Sequence, residues 1–184
     1  MNILNLLIEQ ADPTGTYVGA NIEAFNKSHK ELLKSIDKLK GVIPKLHTTV
    51  IYSKQYIEPS ILEDTIKSYK IPIQAKIIGA DSFDALPDKN GKRAEEVSTL
   101  VLKLECKELI ELHSKLKKLG CTHIYPQLSP HISLYYGVPI ADCKEAVKIL
   151  KAYISKLEEP LYVNLTKIFV EPIVEDWGKK NTKA

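Results

Sequence analysis

No apolar run in the sequence approaches the roughly 18 to 20 residues that a helix needs to cross a bilayer, so no membrane span is expected. The opening MNILNLLIEQ lacks the basic start and small-residue cleavage site of a secretory signal. Cysteine is scarce. Cys106, Cys121 and Cys143 are odd in number and match no CxxC spacing, which argues against a disulfide framework and for reduced thiols in a cytoplasmic protein. Charge of one sign is lacking as well. With 26 Lys and Arg against 23 Asp and Glu the formal net charge is only +3. No long nucleic-acid footprint is expected from so mild a charge, yet it leaves a small anionic ligand unopposed.

What is present suffices for one core. A chain of 184 residues, 44 % hydrophobic and 27 % charged, fits a single compact domain or two small lobes that depend on each other. Residues 1–13 read as an appended N-terminal arm, seated on its own domain or on a second chain. Residues 14–184 read as a single bilobal domain. GTYVGANI (15–22) is β-branched, aromatic and bounded by glycine, a strand pattern. Apolar positions from Glu23 to Leu39 recur at helical intervals. KLHTTVIYS (45–53) predicts a strand, Pro59 opens a second helix through Tyr69, and 71–83 predicts another strand. The polar stretch 84–96 has the Pro, Asn-Gly and charge content of an exposed loop, and 97–105 is the returning strand. A helix over 107–119 stops at Gly120. PHISLYYG (130–137), a helix over 142–157 and a last strand over 161–172 complete the chain. The order nearly repeats across residue 90, which predicts an α+β fold of two pseudo-symmetric lobes, with mixed or antiparallel sheets flanking a central cleft and helices outside.

The two repeats carry one constellation. Aligned on His47 and His131, each has a Thr or Ser two places on, an apolar residue next, and a tyrosine at the fifth place. Residues i and i+2 of a strand share a face, so His47 projects with Thr49 and His131 with Ser133. Thr48, Val50 and Tyr52, like Ile132, Leu134 and Tyr136, are expected to point the other way, into the core. Two imidazoles near neutral pH can serve as one base and one acid, and two hydroxyls can hydrogen-bond phosphate oxygens between them. That set suits displacement at phosphorus with no metal and no cofactor. A zinc site is the weaker reading, because two histidines without further ligands at suitable spacing fall short of the usual three or four. His29, His113 and His123 have no equivalent hydroxyl partner and read as surface or structural.

Two copies of His-x-Thr/Ser followed by an apolar residue, on strands of a bilobal α+β chain, resemble the 2H phosphoesterases, which cleave RNA-related phosphodiesters and cyclic phosphates without metal. The segments TYVGANI, KLHTTVIYS, LVLKLECKELIELHSKLKKLG and PHISLYYG, with a fainter echo in IFVEPIVEDW, resemble the phage anti-CBASS nucleases of that superfamily. Those enzymes destroy the cyclic oligonucleotide signals of bacterial defence. The resemblance implies a cyclic di- or trinucleotide substrate, work in bacterial cytoplasm, and His47, Thr49, His131 and Ser133 at the motif positions. It also implies that Tyr17 lays an aromatic ring over a nucleobase, with Phe83 as the opposing ring or as core. Tyr135 shares the His131 face and is expected to border the cleft. Glu171 is placed to accept hydrogen bonds from a base amino group, with Glu175 or Trp177 as alternatives. Lys45 and Lys54 flank the first motif and either attract phosphate or are simply solvated. The rival functions are an RNA-end processing enzyme acting on 2',3'-cyclic phosphates and a module that sequesters cyclic nucleotides without cutting them.

Overall fold

The elements alternate as β1 (Gly15–Ile22), α1 (Lys27–Lys34), β2 (His47–Ser53), α2 (Pro59–Lys67), β3 (Ile73–Asp84), β4 (Val97–Glu105), α3 (Lys107–Lys118), β5 (His131–Pro139), α4 (Ile140–Ile154) and β6 (Tyr162–Ile173). The computed structural model describes residues 13–41, 45–84, 96–123 and 127–174. Nearly all of the N-terminal arm, most of the polar loop at 84–96, and Glu175 and Trp177 lie outside the described residues. The first helix is shorter than the 23–39 pattern suggests because Asn26 caps it. The Asn26 side chain accepts from the His29 amide while His29 Nδ1 accepts from the Asn26 amide, a reciprocal cap that fixes where the helix begins.

The fold is α+β, with six antiparallel strands and four helices among the described residues. All six strands join in one closed barrel of order β1-β2-β5-β4-β3-β6, with β6 returning to β1, where two separate sheets were expected. The grouping also differs from the sequence halves. β1 and β2 take β6 as their third strand, and β4 and β5 take β3. Each half therefore lends its last strand to the other. Exchanging β1 with β4, β2 with β5 and β3 with β6 maps the ring onto itself, so the topology has the two-fold pseudo-symmetry that the repeated motif implied. The halves meet at two seams. One is the β3–β6 ladder from Ile73↔Leu165 to Lys76↔Tyr162; the other is a single pair, Thr48↔Ile132, between the two histidine strands.

The helices cover the outer face of the barrel. α3 buries Leu109, Leu112, His113 and Leu116 and packs on β2, and α4 buries Cys143, Ala146 and Leu150 against β3, β4 and β5. These join Val18, Ala20, Val50, Leu100, Leu102, Ile132 and Leu134 in the apolar core, each large side chain contributing about 1.5 to 3 kcal/mol on burial. All three cysteines are buried free thiols. Burial pushes each thiol above its ordinary value, Cys106 to about 11. Among the described residues, no helix is long and apolar enough to cross a membrane.

Candidate active site

The site forms where the β2–β5 seam is thinnest. Pairing Thr48 with Ile132 in antiparallel sense sets His47 opposite Ser133 and Thr49 opposite His131, so the two motifs run head to tail about the pseudo-axis. Strand rise and spacing then place the two histidine Cα atoms roughly 8 Å apart across the seam. His47, Thr49, His131 and Ser133 are all half-buried, while Thr48 and Ile132 between them are fully enclosed. The structure thus brings the four motif side chains together on the inner face, opposite the helix-covered core.

Each imidazole is held the same way. His47 Nδ1 lies 2.8 Å from the carbonyl oxygen of Lys45, and His131 Nδ1 lies 2.9 Å from that of Ser129. A carbonyl only accepts, so Nδ1 carries the proton in both rings and the neutral form keeps its lone pair on Nε2. Lys45 therefore enters the site through its backbone; its side chain, like that of Lys54, is exposed. An aromatic ring stands roughly perpendicular to each imidazole, for His47 from the neighbouring β1 and for His131 from β3, two strands away. Tyr17 meets His47 with centroids 6.4 Å apart at 76°, and Phe83 meets His131 at 4.7 Å and 89°. Such pairs are worth about 0.5 to 1.5 kcal/mol beyond simple burial. Burial lowers the His131 pKa below the ordinary imidazole value, and proximity to His47 lowers it further, against the raising effect of the Ser129 carbonyl.

Tyr17 is placed differently from the expected open stacking platform. It is only 4 % exposed, packed against Phe169 at 5.9 Å and edge-on to Tyr52 at 6.5 Å. Its hydroxyl lies 3.0 Å from Thr49 Oγ1, and burial raises its pKa to about 12. Gly19 makes this overlay possible. A Cβ there would sit 2.7 Å from Phe169 Cζ and 2.9 Å from Tyr17 Cε1, far inside contact distance. Glu171 is exposed and is the cross-strand partner of Tyr17, close enough to oppose a charge on its phenol. Phe83 is half-buried, its ring perpendicular to that of His131.

The tyrosines after each motif depart from the alternation read in the sequence. In β2 the register passes from Thr49↔Gly19 to Ile51↔Val18, leaving Val50 as an extra residue. In β5 it passes from Ser133↔Val101 to Tyr135↔Leu100, leaving Leu134 extra. The two β-bulges fall at the same place, three residues after each histidine. A bulge sets two consecutive residues against one and reverses the alternation beyond it. Tyr52, expected in the core, is turned to the histidine face, 37 % exposed and edge-on to Tyr17. Tyr135, expected at the cleft, packs against the core, while Tyr136 is half-exposed and near enough to Tyr17 to raise its pKa. Both corrections have the same cause. The Val50 carbonyl accepts a hydrogen bond at 2.8 Å from Nδ1 of His113, a buried residue of α3, so this histidine supports the bulge from behind. Among the described residues, no group of three or more His, Cys, Asp or Glu is placed to hold a metal ion.

Residues 14–180 match the model of a protein family described as Anti-CBASS protein Acb1. An anti-CBASS protein Acb1 from Vibrio phage KVP40 is 28 % identical over 173 residues, covering 91 % of this chain and 93 % of its own. A namesake from Escherichia phage RB16 is 27 % identical over 151 residues, covering 78 % and 77 %. Among solved structures, one described as a phosphoesterase aligns over 86 % of this chain and 87 % of its own, with a TM-score of 0.47 and 16 % identity. Usb1 from Kluyveromyces marxianus with uridine monophosphate aligns over 88 % and 99 %, with a TM-score of 0.47 and 7 % identity.

Proposed function

The chain belongs to the anti-CBASS protein Acb1 family, and from that premise we propose that it is a metal-independent phosphodiesterase. Its substrates are 3',5'-linked cyclic di- and trinucleotides that signal infection in the bacterial cytoplasm. The observation that carries the reading is the pair of matched imidazoles, each with Nδ1 tied to a carbonyl two residues back and Nε2 left to exchange protons. A phosphate seated over the Thr48–Ile132 seam meets one imidazole and one hydroxyl from each half.

The reaction runs as an in-line displacement. The ribose 2'-hydroxyl beside the scissile phosphate is already oriented for attack. Its proton passes to Nε2 of one histidine as the new O–P bond forms. The P–O5' bond breaks, and the other histidine protonates the leaving oxygen. Thr49 and Ser133 donate to the non-bridging oxygens, where charge grows in the transition state. The lowered pKa of His131 favours its neutral form at pH 7, which supports His131 as the base and His47 as the acid. The product carries a 2',3'-cyclic phosphate, and water opens it in a second step with the two roles reversed.

Glu171, on the rim beside Tyr17, accepts from a base amino group. Phe83, Tyr52 and Tyr136, aromatics with exposed surface near the motifs, are candidates for base stacking, worth about 1 to 3 kcal/mol per base. Tyr135, half-buried and packed against the core, is less well placed than these for that role.

The test is incubation with 3',5'- and 2',5'-linked cyclic di- and trinucleotides and with an RNA ending in a 2',3'-cyclic phosphate, all in EDTA, read by mass spectrometry. Cleavage of the 3',5'-linked rings, lost by at least about 100-fold in His47→Ala and His131→Ala while ligand binding persists, is the expected outcome. Activity on the RNA end alone moves the protein to RNA processing, and tight binding without cleavage makes it a sequestering module.

A further inference from the structure

The two motif hydroxyls are not in equivalent settings, although the pseudo-symmetry makes their strands equivalent. Thr49 pairs with Gly19 and Ser133 pairs with Val101, so Gly19 corresponds to Val101. Two residues earlier, Tyr17 corresponds to Thr99. The first half therefore places a phenol beside its motif hydroxyl where the second half has only a small side chain. Gly19 leaves room for that phenol, and Phe169, His47 and Tyr52 enclose its ring.

A threonine hydroxyl has one proton and rotates freely unless a neighbour fixes it. To stabilise a phosphate oxygen, Thr49 must donate that proton toward the cleft, which leaves its oxygen to accept in the contact with Tyr17. We propose that Tyr17 is a positioning residue for the phosphodiester cleavage: its hydroxyl donates to Thr49 Oγ1 across the observed 3.0 Å contact and so directs the Thr49 proton onto the phosphate. The burial that raises the phenol to about 12 keeps it a donor through the neutral range. Ser133 has no such partner among the described residues and is oriented by the substrate itself. This inference rests on the reading of Thr49 as a phosphate-oxygen donor.

A double-mutant cycle tests it. Tyr17→Phe, Thr49→Val, Ser133→Ala and the pairs Tyr17→Phe/Thr49→Val and Tyr17→Phe/Ser133→Ala are measured for kcat and KM on the cyclic dinucleotide that the wild type cleaves. Tyr17→Phe keeps the ring and its packing, so melting is expected within a few degrees of wild type. The expected result is about a tenfold fall in kcat for Tyr17→Phe, with KM nearly unchanged. In the Thr49→Val background the same change has no further effect, and in the Ser133→Ala background it has its full effect. An equal loss in all three backgrounds, or a loss confined to KM, shows Tyr17 acting directly on the substrate and overturns the proposal. Unchanged kcat in Tyr17→Phe overturns it too. If Thr49→Val itself retains wild-type turnover, the failure lies in the reading of Thr49, and the proposal falls with it.

Discussion

Replacing Gly19 with alanine offers a direct measure of how closely the aromatic overlay controls the site. The added Cβ lies 2.7 Å from Phe169 Cζ and 2.9 Å from Tyr17 Cε1, about 1 Å short of comfortable carbon contact. Overpacking of this kind costs about 1 to 3 kcal/mol. The loss of a flexible glycine from the unfolded chain returns about 0.4 to 1 kcal/mol. With central values the net is a destabilisation of about 1.3 kcal/mol, or a fall in Tm of about 3 to 5 °C for a chain of this size. The effect on catalysis is expected to exceed the effect on stability. A shift of the Tyr17 ring by about 1 Å takes its hydroxyl beyond bonding distance of Thr49, and turnover should drop about tenfold in protein still fully folded at the assay temperature. Melting curves and steady-state cleavage of a cyclic dinucleotide report the two effects separately. Wild-type turnover in Gly19→Ala would refute the argument that the overlay sets the hydroxyl.

Two further outcomes concern pH. If His131 takes the proton, turnover is complete while its ring is neutral and falls as the pH drops through its folded pKa. Because that value lies below the ordinary imidazole value, the acid limb of the kcat/KM profile should have its midpoint under about 6.5, and a limb centred well above 7 would reverse the assignment of base and acid. Stability should weaken in the same direction. Burial lowers the pKa of His29 and of His113, with His123 and Lys117 adding repulsion at the latter. Their contribution is complete above the unfolded value of about 6.5 and is lost as pH falls toward each folded value, at up to about 1.4 kcal/mol per pH unit for each group. Urea unfolding across pH 4.5 to 8 measures the slope. His113→Asn can keep the donor to Val50 without titrating, and should flatten it; an unchanged slope would show that His113 does not contribute.

Much of this arrangement is legible in the residues. GTYVGANI and VSTLVLKLE run as strands over the stretches their composition marks, and Pro59 and Gly120 stand where α2 begins and α3 has ended. The repeated motif points to two equivalent strands, and the barrel puts them side by side. Two things escape the pattern, each because it depends on a partner strand. Period-two alternation assumes an unbroken ladder, so the extra residues Val50 and Leu134 could not be foreseen, and Tyr52 and Tyr135 were given the wrong faces. The one local hint was His113, a polar residue among the leucines of α3, which serves the bulge carbonyl. The exchange of β3 and β6 was hidden because consecutive strands read most simply as neighbours. The enclosure of Tyr17 depends on Phe169, 152 residues away along the chain, and on the missing side chain at Gly19.

The borrowed strands also bear on the order in which the site can be assembled during synthesis. β6 pairs with β1 along the whole of β1, Tyr17 lying opposite Glu171, and among the described residues it is the last strand in chain order. Both histidine motifs emerge well before it. Until β6 docks, β1 has one open edge, and the Tyr17 ring has no Phe169 to hold it over Thr49. Pairings between strands so far apart in sequence form slowly relative to local contacts. The nascent chain thus carries both histidine motifs before it has the strand that encloses Tyr17 beside the first of them.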